Sequence, residues 1–379
     1  MKRSTEKILT THTGSLARPA ELHEIVMARA QGKPYDIEAL DLAVKSAVSG
    51  IVKKQVAAGV DVINDGEQSK TNWTAYVNDR LNGFGGEDAP RPLTLDQREF
   101  PEYSARRAVG GGIRRLSCVG PLSWKDFAAV GKDIDNLKAA VKDVHVADAF
   151  MTAVSPGTVA NFHPNNYYPN REAYLQAIAD VMKQEYEAVV KAGFVIQFDC
   201  PDLALRNIWF PDSSIEEFRK VVAQNIDALN HATRDIPPES MRMHVCWGLG
   251  EGPKNHDVPL RDIVDLLLRG RTPALSIVGA NARHEFEWKV WKDVKVPAGK
   301  VIIPGVIDNT TNIIEHPEVV ADRLLNYAGV LGRENIMAGV DCGFTNNPLG
   351  GDVDPKICFA KLTSQSEGAA LASKELWRR

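Results

Sequence analysis

A histidine and a cysteine stand two residues apart in the segment MRMHVCWG, residues 241–248. Because the side chains of a β-strand alternate between its two faces, His244 and Cys246 would point to the same side of a strand. Cys342 follows another apolar segment much further along the chain. One imidazole and two thiolates suit Zn²⁺, and three protein ligands leave one coordination position for a substrate. Buried free cysteines are also common in protein cores, so these residues alone leave zinc binding and core packing both open.

Eight short apolar segments alternate with longer segments that have the periodicity of amphipathic helices. In residues 171–193 and 316–332, for example, apolar residues recur at three- and four-residue intervals and a glycine follows the last turn. Eight strands, each followed by a helix, are typical of a closed parallel (β/α)8 barrel, so we predict an α/β protein with this TIM-barrel fold. The predicted strands are residues 7–15, 59–67, 148–157, 193–202, 241–248, 273–281, 300–308 and 335–343.

The chain is longer than the ~250 residues typical of such a barrel. Most of the additional length lies between the second and third predicted strands, where glycine- and proline-rich pieces surround a further predicted strand at residues 114–120. We therefore predict that residues 1–379 form a single catalytic barrel and that residues 82–148 are an insertion on it.

Polar residues collect at the C-terminal ends of the predicted strands, where barrels of this kind carry their chemistry. The ends of strands five and eight lie on different parts of the rim but both face the barrel axis, so the three zinc-ligand candidates are predicted to meet there. The polar residues at strand ends are His12, Thr13, Ser15, Asp65, Glu67, Asp199, Cys200, His244, Cys246, Asp308, Asp341 and Cys342.

The composition limits the classes of partner. The 379 residues carry a net charge of −4 and contain no block rich in lysine and arginine, which argues against nucleic acid or an anionic membrane as the main partner. The first residues lack the apolar core of a signal peptide, and no apolar run reaches the ~18 residues of a membrane span. Five cysteines without framework spacing are typical of a reducing compartment, so we predict a cytoplasmic protein.

Eight motifs follow one another along nearly the whole chain. They are TTHTGSLARP (10–19), GVDVINDGEQSK (59–70), SPGT (155–158), IQFDCPDLA (196–204), HVCWG (244–248), ANARHEFEW (280–288), PGVIDNTTNIIEHPEVVADRL (304–324) and GVDCGF (339–344). In this ordered combination the sequence resembles the C-terminal catalytic barrel of the cobalamin-independent methionine synthases and their single-barrel relatives, such as epoxyalkane:coenzyme M transferase. The resemblance implies a transferase of methionine biosynthesis that moves a methyl or other alkyl group to homocysteine or a similar amino-acid thiol.

The resemblance also implies the metal ligands. In this family the His-x-Cys pair and the later cysteine bind a catalytic zinc ion that holds the thiol substrate as its thiolate. Carried over to this sequence, the zinc ligands are His244, Cys246 and Cys342, which would act in catalysis through the metal.

Four further residues are implied as substrate contacts. Ser15 matches the amino-acid-binding loop after the first strand, and Glu67 and Asp199 match carboxylates that hold the amino group of homocysteine. Phe162 stands where methionine synthases have a tryptophan against the folate ring. Without the resemblance, these residues would be interpreted as acids of the barrel rim and as a core aromatic.

Three positions depart from the methionine synthases. Val278 stands where those enzymes have an additional glutamate ligand, and approximately Thr310 stands where they have the histidine proposed as their acid. Cys200 replaces an acidic residue beside Asp199. The loss of the acid and of the tryptophan weakens the case for methyltetrahydrofolate as the donor. The donor stays open among a methylfolate, a methylcorrinoid, a small methylated compound and an epoxide.

Two alternative functions stay open. The local sequences of residues 246–259 and 282–291 favour epoxide opening by coenzyme M. The sulfonate of coenzyme M would need a basic or amide pocket, however, whereas Glu67 and Asp199 suit the amino group of an amino-acid thiol. From another class, the chain would be a catalytically silent zinc-binding barrel or a decarboxylase on a related fold. A decarboxylase does not need the His/Cys/Cys set, and a structural zinc site would have four protein ligands.

Overall fold

The computed structural model describes residues 1–107, 114–248, 250–345 and 353–378. Six parallel strands form one sheet, in which each strand lies beside the next in the order β1-β4-β5-β6-β7-β8, and β2 and β3 form a separate pair. The strands are β1 (Val62–Ile63), β2 (Leu81–Gly85), β3 (Ser117–Trp124), β4 (Asp148–Val154), β5 (Val195–Asp199), β6 (Met241–Val245), β7 (Ala274–Ile277) and β8 (Val301–Pro304).

Isolated backbone bridges close this sheet into a barrel. The chain before α1 and the chain before the last helix each contribute a short extended stretch, and these two stretches fill the gap between β8 and β1. The bridges are all parallel and join Thr11 to Val62, Thr10 to Ala338, Ile302 to Ile336 and Gly305 to Gly339. All eight predicted strand positions are therefore present, and the predicted (β/α)8 barrel is confirmed, with its first and last strands reduced to bridges.

Helices follow the strands and cover the outside of the barrel. Helices α8 and α12 confirm the two helical segments predicted from periodicity, and both begin at a residue whose side chain accepts from the backbone of the first turn, Asn170 and His316. The α-helices are α1 (Ala20–Ala30), α2 (Ile37–Ala57), α3 (Tyr76–Arg80), α4 (Leu95–Glu99), α5 (Pro101–Arg107), α6 (Ala128–Val141), α7 (Pro156–Phe162), α8 (Arg171–Lys191), α9 (Arg206–Trp209), α10 (Ile215–Ala232), α11 (Val264–Leu267), α12 (Pro317–Leu331) and α13 (Pro355–Leu376).

Five short 3-10 helices complete the connections in the described part of the chain. None of the helices described there is both long and apolar enough to cross a membrane. The 3-10 helices are Pro201–Leu203, Pro238–Ser240, Leu260–Asp262, Glu285–Lys292 and Arg333–Asn335.

The segment between the second and third barrel strands contains the antiparallel pair of β2 and β3. Strand β3 confirms the extra strand predicted at residues 114–120, although it begins at Ser117. Helix α4 lies against α9, because Asn207 accepts from the backbone N–H of Leu95 (2.7 Å) and donates to Asp96 (2.8 Å). Helix α6 packs on α2 instead, in the manner of a barrel helix. We keep as a proposal that residues 82–148 are an insertion on one catalytic barrel.

The barrel interior is buried but not wholly apolar. Every residue of β5, β6, β7 and β8 is buried, as expected when helices cover a closed parallel sheet. Arg242 lies inside the barrel with its guanidinium 3.5 Å from the centroid of the Phe150 ring. It donates to Gln197 Oε1 and to the backbone oxygen of His12, both at 2.7 Å. This buried cation supports the polar floor of the site described next.

Candidate metal and thiol site

Three side chains with metal-ligand chemistry meet at the C-terminal end of the barrel. His244 lies near the end of β6, Cys246 directly follows that strand, and Cys342 follows the bridge at Gly339. His244 Nε2 lies 3.4 Å from Cys342 Sγ, and the sulfur atoms of Cys246 and Cys342 are 3.0 Å apart. All three residues are buried. The structure therefore brings together the three predicted ligands, although the sequence separates them widely.

This donor set fits a zinc ion. A sulfur–sulfur distance of 3.0 Å exceeds the ~2.05 Å of a disulfide, so both thiols are available as ligands. The three ligand atoms lie within 4.8 Å of one another, which a single ion with ligand distances of about 2.0–2.3 Å spans. The other ring nitrogen of His244 faces Ser276 Oγ at 3.4 Å, which leaves Nε2 directed at the sulfurs.

The two thiols differ in acidity. The hydrogen bond with Cys342 lowers the pKa of Cys246 well below its usual value, whereas burial raises the pKa of Cys342. The backbone N–H of Gly248 also donates to Cys246 Sγ at 3.2 Å. Cys246 therefore ionises first, and a metal ion would displace the proton that remains on Cys342.

A lysine holds the loop that carries Cys246. Lys254 Nζ donates to the backbone oxygens of Gly248 (3.0 Å) and Trp247 (3.3 Å), and the Trp247 indole donates to the oxygen of Val258 at 2.6 Å. Gly248 has a φ of +89°, a conformation that side chains disfavour. These contacts orient the Gly248 N–H towards the Cys246 sulfur.

A buried ion pair network ties the same loop to the next part of the rim. His284 Nδ1 lies 2.9 Å from Glu287 Oε2, and its Nε2 lies 3.1 Å from Asp257 Oδ2. Burial lowers the pKa of His284, but the hydrogen bonds to Asp257 and Glu287 outweigh it and raise this pKa to about 9. The His284 ring also contacts Trp247, with centroids 5.2 Å apart. An imidazolium thus stands directly behind the loop of the metal site.

We expect His284→Gln to destabilise the fold more at about pH 6 than at about pH 10. The folded-state pKa of His284 lies above the ordinary 6.5, so its contribution is complete below about pH 6.5 and is lost as the pH rises through about 9. The difference between the two pH values should be on the order of 3 kcal/mol. Urea unfolding of both proteins at the two pH values measures it. His231→Gln, at an exposed ion pair, is the control, and an equal loss at both pH values would contradict the assignment of charge.

The two predicted carboxylates are buried on the same side of the site. Asp199 is aligned with His244 in the pairing of β5 and β6 and accepts from Gln197 Nε2 at 2.8 Å. Burial, followed by the charge of Glu67, raises the pKa of Asp199 to about 7. Glu67 Oε1 accepts from the hydroxyl of Thr152 at 2.8 Å. Gln197 on β5 and Thr152 on β4 thus hold these two acids in place.

The Glu67 backbone is strained, with a φ of +55° that non-glycine residues rarely adopt. The loop before Ser15 makes room for its carboxylate, because a Cβ on Gly14 would lie 2.7 Å from Glu67 Oε1. Lys70 supports the same acid indirectly by donating to Thr152 Oγ1 at 2.9 Å. Strain of this kind persists only where the surrounding contacts enforce it, and it is concentrated at functional sites.

A cavity of about 220 Å³ opens above the three ligand residues. All seven residues predicted from the sequence line it, so the structure brings every one of them to a single site. They are Ser15, Glu67, Phe162, Asp199, His244, Cys246 and Cys342. That they act as ligands and substrate contacts stays a prediction.

The cavity is also lined by residues to which the sequence analysis assigned no role. Trp209 lies on the four-residue helix α9, which is too short to show a helical period. Its ring makes an edge contact with Phe162, with centroids 6.0 Å apart. The sequence feature that could have identified Trp209 is the run of apolar and aromatic residues that follows β5. The lining residues to which the sequence analysis assigned no role are Thr13, Trp73, Pro201, Leu205, Ile208, Trp209, Gly248 and Gly343.

Several polar residues at strand ends have structural contacts instead. Asp341 accepts from the backbone N–H groups of Gly279, Ala280 and Asn281, which ties the loop after β7 to the last strand. His12 pairs with Gln55 at 2.7 Å, and burial lowers the pKa of this histidine to about 4. Neither Asp341 nor His12 lines the cavity.

The positions that depart from the methionine synthases also lie away from the cavity wall. Cys200 is buried, and its sulfur faces the oxygen of Phe198 at 3.5 Å and lies outside the ligand group found among the described residues. Val278 is buried near the end of β7. Thr310 donates its hydroxyl to Asp308 at 2.8 Å.

Comparisons with known proteins agree with the resemblance found in the sequence. No protein-family model matches the chain. It is 26% identical over 373 residues to a methionine synthase of Saccharolobus islandicus, covering 98% of this chain and 96% of that protein. It is 26% identical over 370 residues to a methionine synthase of Sulfurisphaera tokodaii, covering 97% and 93% of the two chains.

Solved structures extend the comparison to the fold. A B12-independent methionine synthase from Shewanella sp. W3-18-1, in complex with selenomethionine, superposes with a TM-score of 0.73 at 22% identity, covering 97% of this chain and 99% of that one. A putative B12-independent methionine synthase from Listeria monocytogenes gives 0.65 at 17% identity, covering 98% and 100%. This chain is therefore, over nearly its whole length, a relative of proteins named methionine synthase and has the fold of the cobalamin-independent methionine synthases.

Proposed function

We propose that this protein is a zinc-dependent S-alkyltransferase that moves a methyl or other alkyl group to homocysteine or a similar amino-acid thiol. One observation carries the proposal: the His244, Cys246 and Cys342 ligand set and the Glu67 and Asp199 carboxylates line one cavity. The relatives named methionine synthase support the same chemistry. In this proposal His244, Cys246 and Cys342 hold the metal.

A bound zinc ion supplies Lewis acidity that keeps a substrate thiol deprotonated near neutral pH, although a free thiol has a pKa of about 8.5. The protein contributes three ligands and leaves one position for the substrate, as catalytic zinc sites require. The Gly248 N–H, 3.2 Å from Cys246 Sγ, fixes the orientation of one ligand. The buried His284 behind the same loop limits its movement.

The remaining polar residues select an amino acid. Glu67 and Asp199 accept hydrogen bonds from the ammonium group of the thiol substrate, and charge-assisted bonds of this kind are the strong ones in a buried site. Ser15, which accepts from the backbone N–H of Thr345 at 3.3 Å, lies at the same wall and contacts the other end of the amino acid. Phe162 faces the alkyl donor and excludes water from the reacting sulfur.

The reaction joins the thiol sulfur to an electrophilic carbon of the donor. A sulfur–carbon bond forms, the bond from that carbon to its leaving group breaks, and the electron pair departs with the leaving group. The apolar wall of the cavity removes water that would otherwise solvate the sulfur, which strengthens its attack.

The experiment compares zinc-loaded and metal-free protein with homocysteine and with coenzyme M, each offered a methylfolate, a methylcorrinoid, methylated onium compounds and an epoxide. Mass spectrometry of the thioether product is the readout. We expect alkylated homocysteine from the zinc-loaded protein only. A metal-free preparation of equal activity would exclude zinc dependence, and preferential alkylation of coenzyme M by the epoxide would favour the second candidate function.

A further inference from the structure

The outer half of the cavity is apolar, and much of it is aromatic. The face of an aromatic ring carries partial negative charge, so such a wall attracts cations as well as apolar groups. The aromatic residues of this wall are Trp73, Phe162 and Trp209, and the aliphatic ones are Pro201, Leu205 and Ile208.

The charged side chains of the wall are acidic. Glu67 and Asp199 line the cavity, and no lysine or arginine does so in the part of the chain that the structure describes. Arg115 lies 5.3 Å from the Trp209 ring but donates to the backbone oxygens of Phe162 (2.7 Å) and Asn161 (3.0 Å), outside the lining. A donor with a sulfonate, phosphate or carboxylate tail would therefore meet no matching charge on the cavity wall.

In the part of the chain that the structure describes, the cavity wall offers the leaving group no further acid. If the two carboxylates bind the ammonium of the thiol, the titratable residues left among the described lining are the three metal ligands. A methylfolate would leave as an amine anion, which needs such a proton. A donor that leaves as a neutral molecule does not.

The size of the cavity also favours a small alkyl donor. About 220 Å³ is less than the roughly 300–1,000 Å³ of pockets that hold drug-sized ligands. This space suits an amino-acid thiol and a second small molecule, whereas the corrin macrocycle is larger than the cavity.

We infer that the alkyl donor is a small methylated onium compound, a sulfonium or a quaternary ammonium, bound against Trp73, Phe162 and Trp209. The inference rests on the proposed function. The thiolate sulfur attacks a methyl carbon of the onium, one sulfur–carbon bond forms, and the bond from that carbon to the cationic sulfur or nitrogen breaks. Its electron pair neutralises the onium atom, which leaves as a thioether or a tertiary amine.

A binding experiment tests the cation site separately from turnover. Ligand-observed NMR titration of zinc-loaded protein, without a thiol substrate, compares trimethylsulfonium and tetramethylammonium with the neutral isostere tert-butanol. We expect at least about tenfold tighter binding of the cations, reduced about three- to thirtyfold in Trp73→Leu and Phe162→Leu. Trp288→Leu, the same change outside the cavity, should keep the preference. Equal affinity for cations and isostere overturns the inference.

A transfer assay separates this inference from the proposed function. Homocysteine is offered with trimethylsulfonium, tetramethylammonium, 5-methyltetrahydrofolate or methylcobalamin in turn. Methylation from the onium compounds alone supports the inference. Methylation from the folate or the corrinoid alone overturns it but leaves the proposed function intact, and no thioether from any donor contradicts the proposed function itself.

Discussion

Replacing either Cys246 or Cys342 by serine should remove most of the bound zinc and all detectable alkyl transfer. A serine hydroxyl is a much weaker zinc ligand than a thiolate, and the tightness of the site depends on two thiolates. The wild-type protein should carry about one zinc ion per chain by elemental analysis. Competition with a chromophoric chelator then measures how far the affinity falls in each variant.

Cys200→Ser and Cys358→Ser are the matched controls, because both cysteines are buried and free but lie outside the ligand group. They should keep the zinc content of the wild type. Far-UV circular dichroism distinguishes loss of metal from loss of fold. Loss of zinc in Cys200→Ser would make Cys200 a fourth ligand, and an active protein without metal would remove the proposed mechanism.

Glu67→Gln and Asp199→Asn should each weaken homocysteine binding by about ten- to a hundredfold and leave the zinc content unchanged. Loss of a charge-assisted hydrogen bond in a buried site costs roughly 1.5–3 kcal/mol. Both side chains are at least nine-tenths buried, so water cannot replace the lost partner efficiently. Calorimetric titration of the zinc-loaded proteins gives the affinities.

The control for these variants is a ligand rather than a residue. 4-Mercaptobutyrate is homocysteine without its amino group, so neither substitution should weaken its binding. Unchanged homocysteine affinity in both variants would indicate that the natural thiol substrate has no amino group, and it would favour coenzyme M as that substrate.

The sequence by itself determined the architecture and the candidate ligand set. Short apolar runs of strand length and apolar residues that recur with period 3.6 are local properties, so the eight strand positions and helices such as α8 could be predicted from the sequence. A closed parallel barrel then requires all strand ends to converge at one rim. That topology is why His244, Cys246 and Cys342 could be predicted to meet.

Only the tertiary structure decided which of the polar residues at strand ends line the cavity and which residues form its outer wall. Asp341 and Glu67 both follow strand segments. Three loop N–H groups donate to the Asp341 carboxylate, whereas the Glu67 side chain accepts from Thr152 and lines the cavity. Trp209 reaches the wall through a helix of four residues. Loop conformations depend on contacts between residues distant in sequence, such as Asn207 with α4, and these contacts leave no period in the sequence.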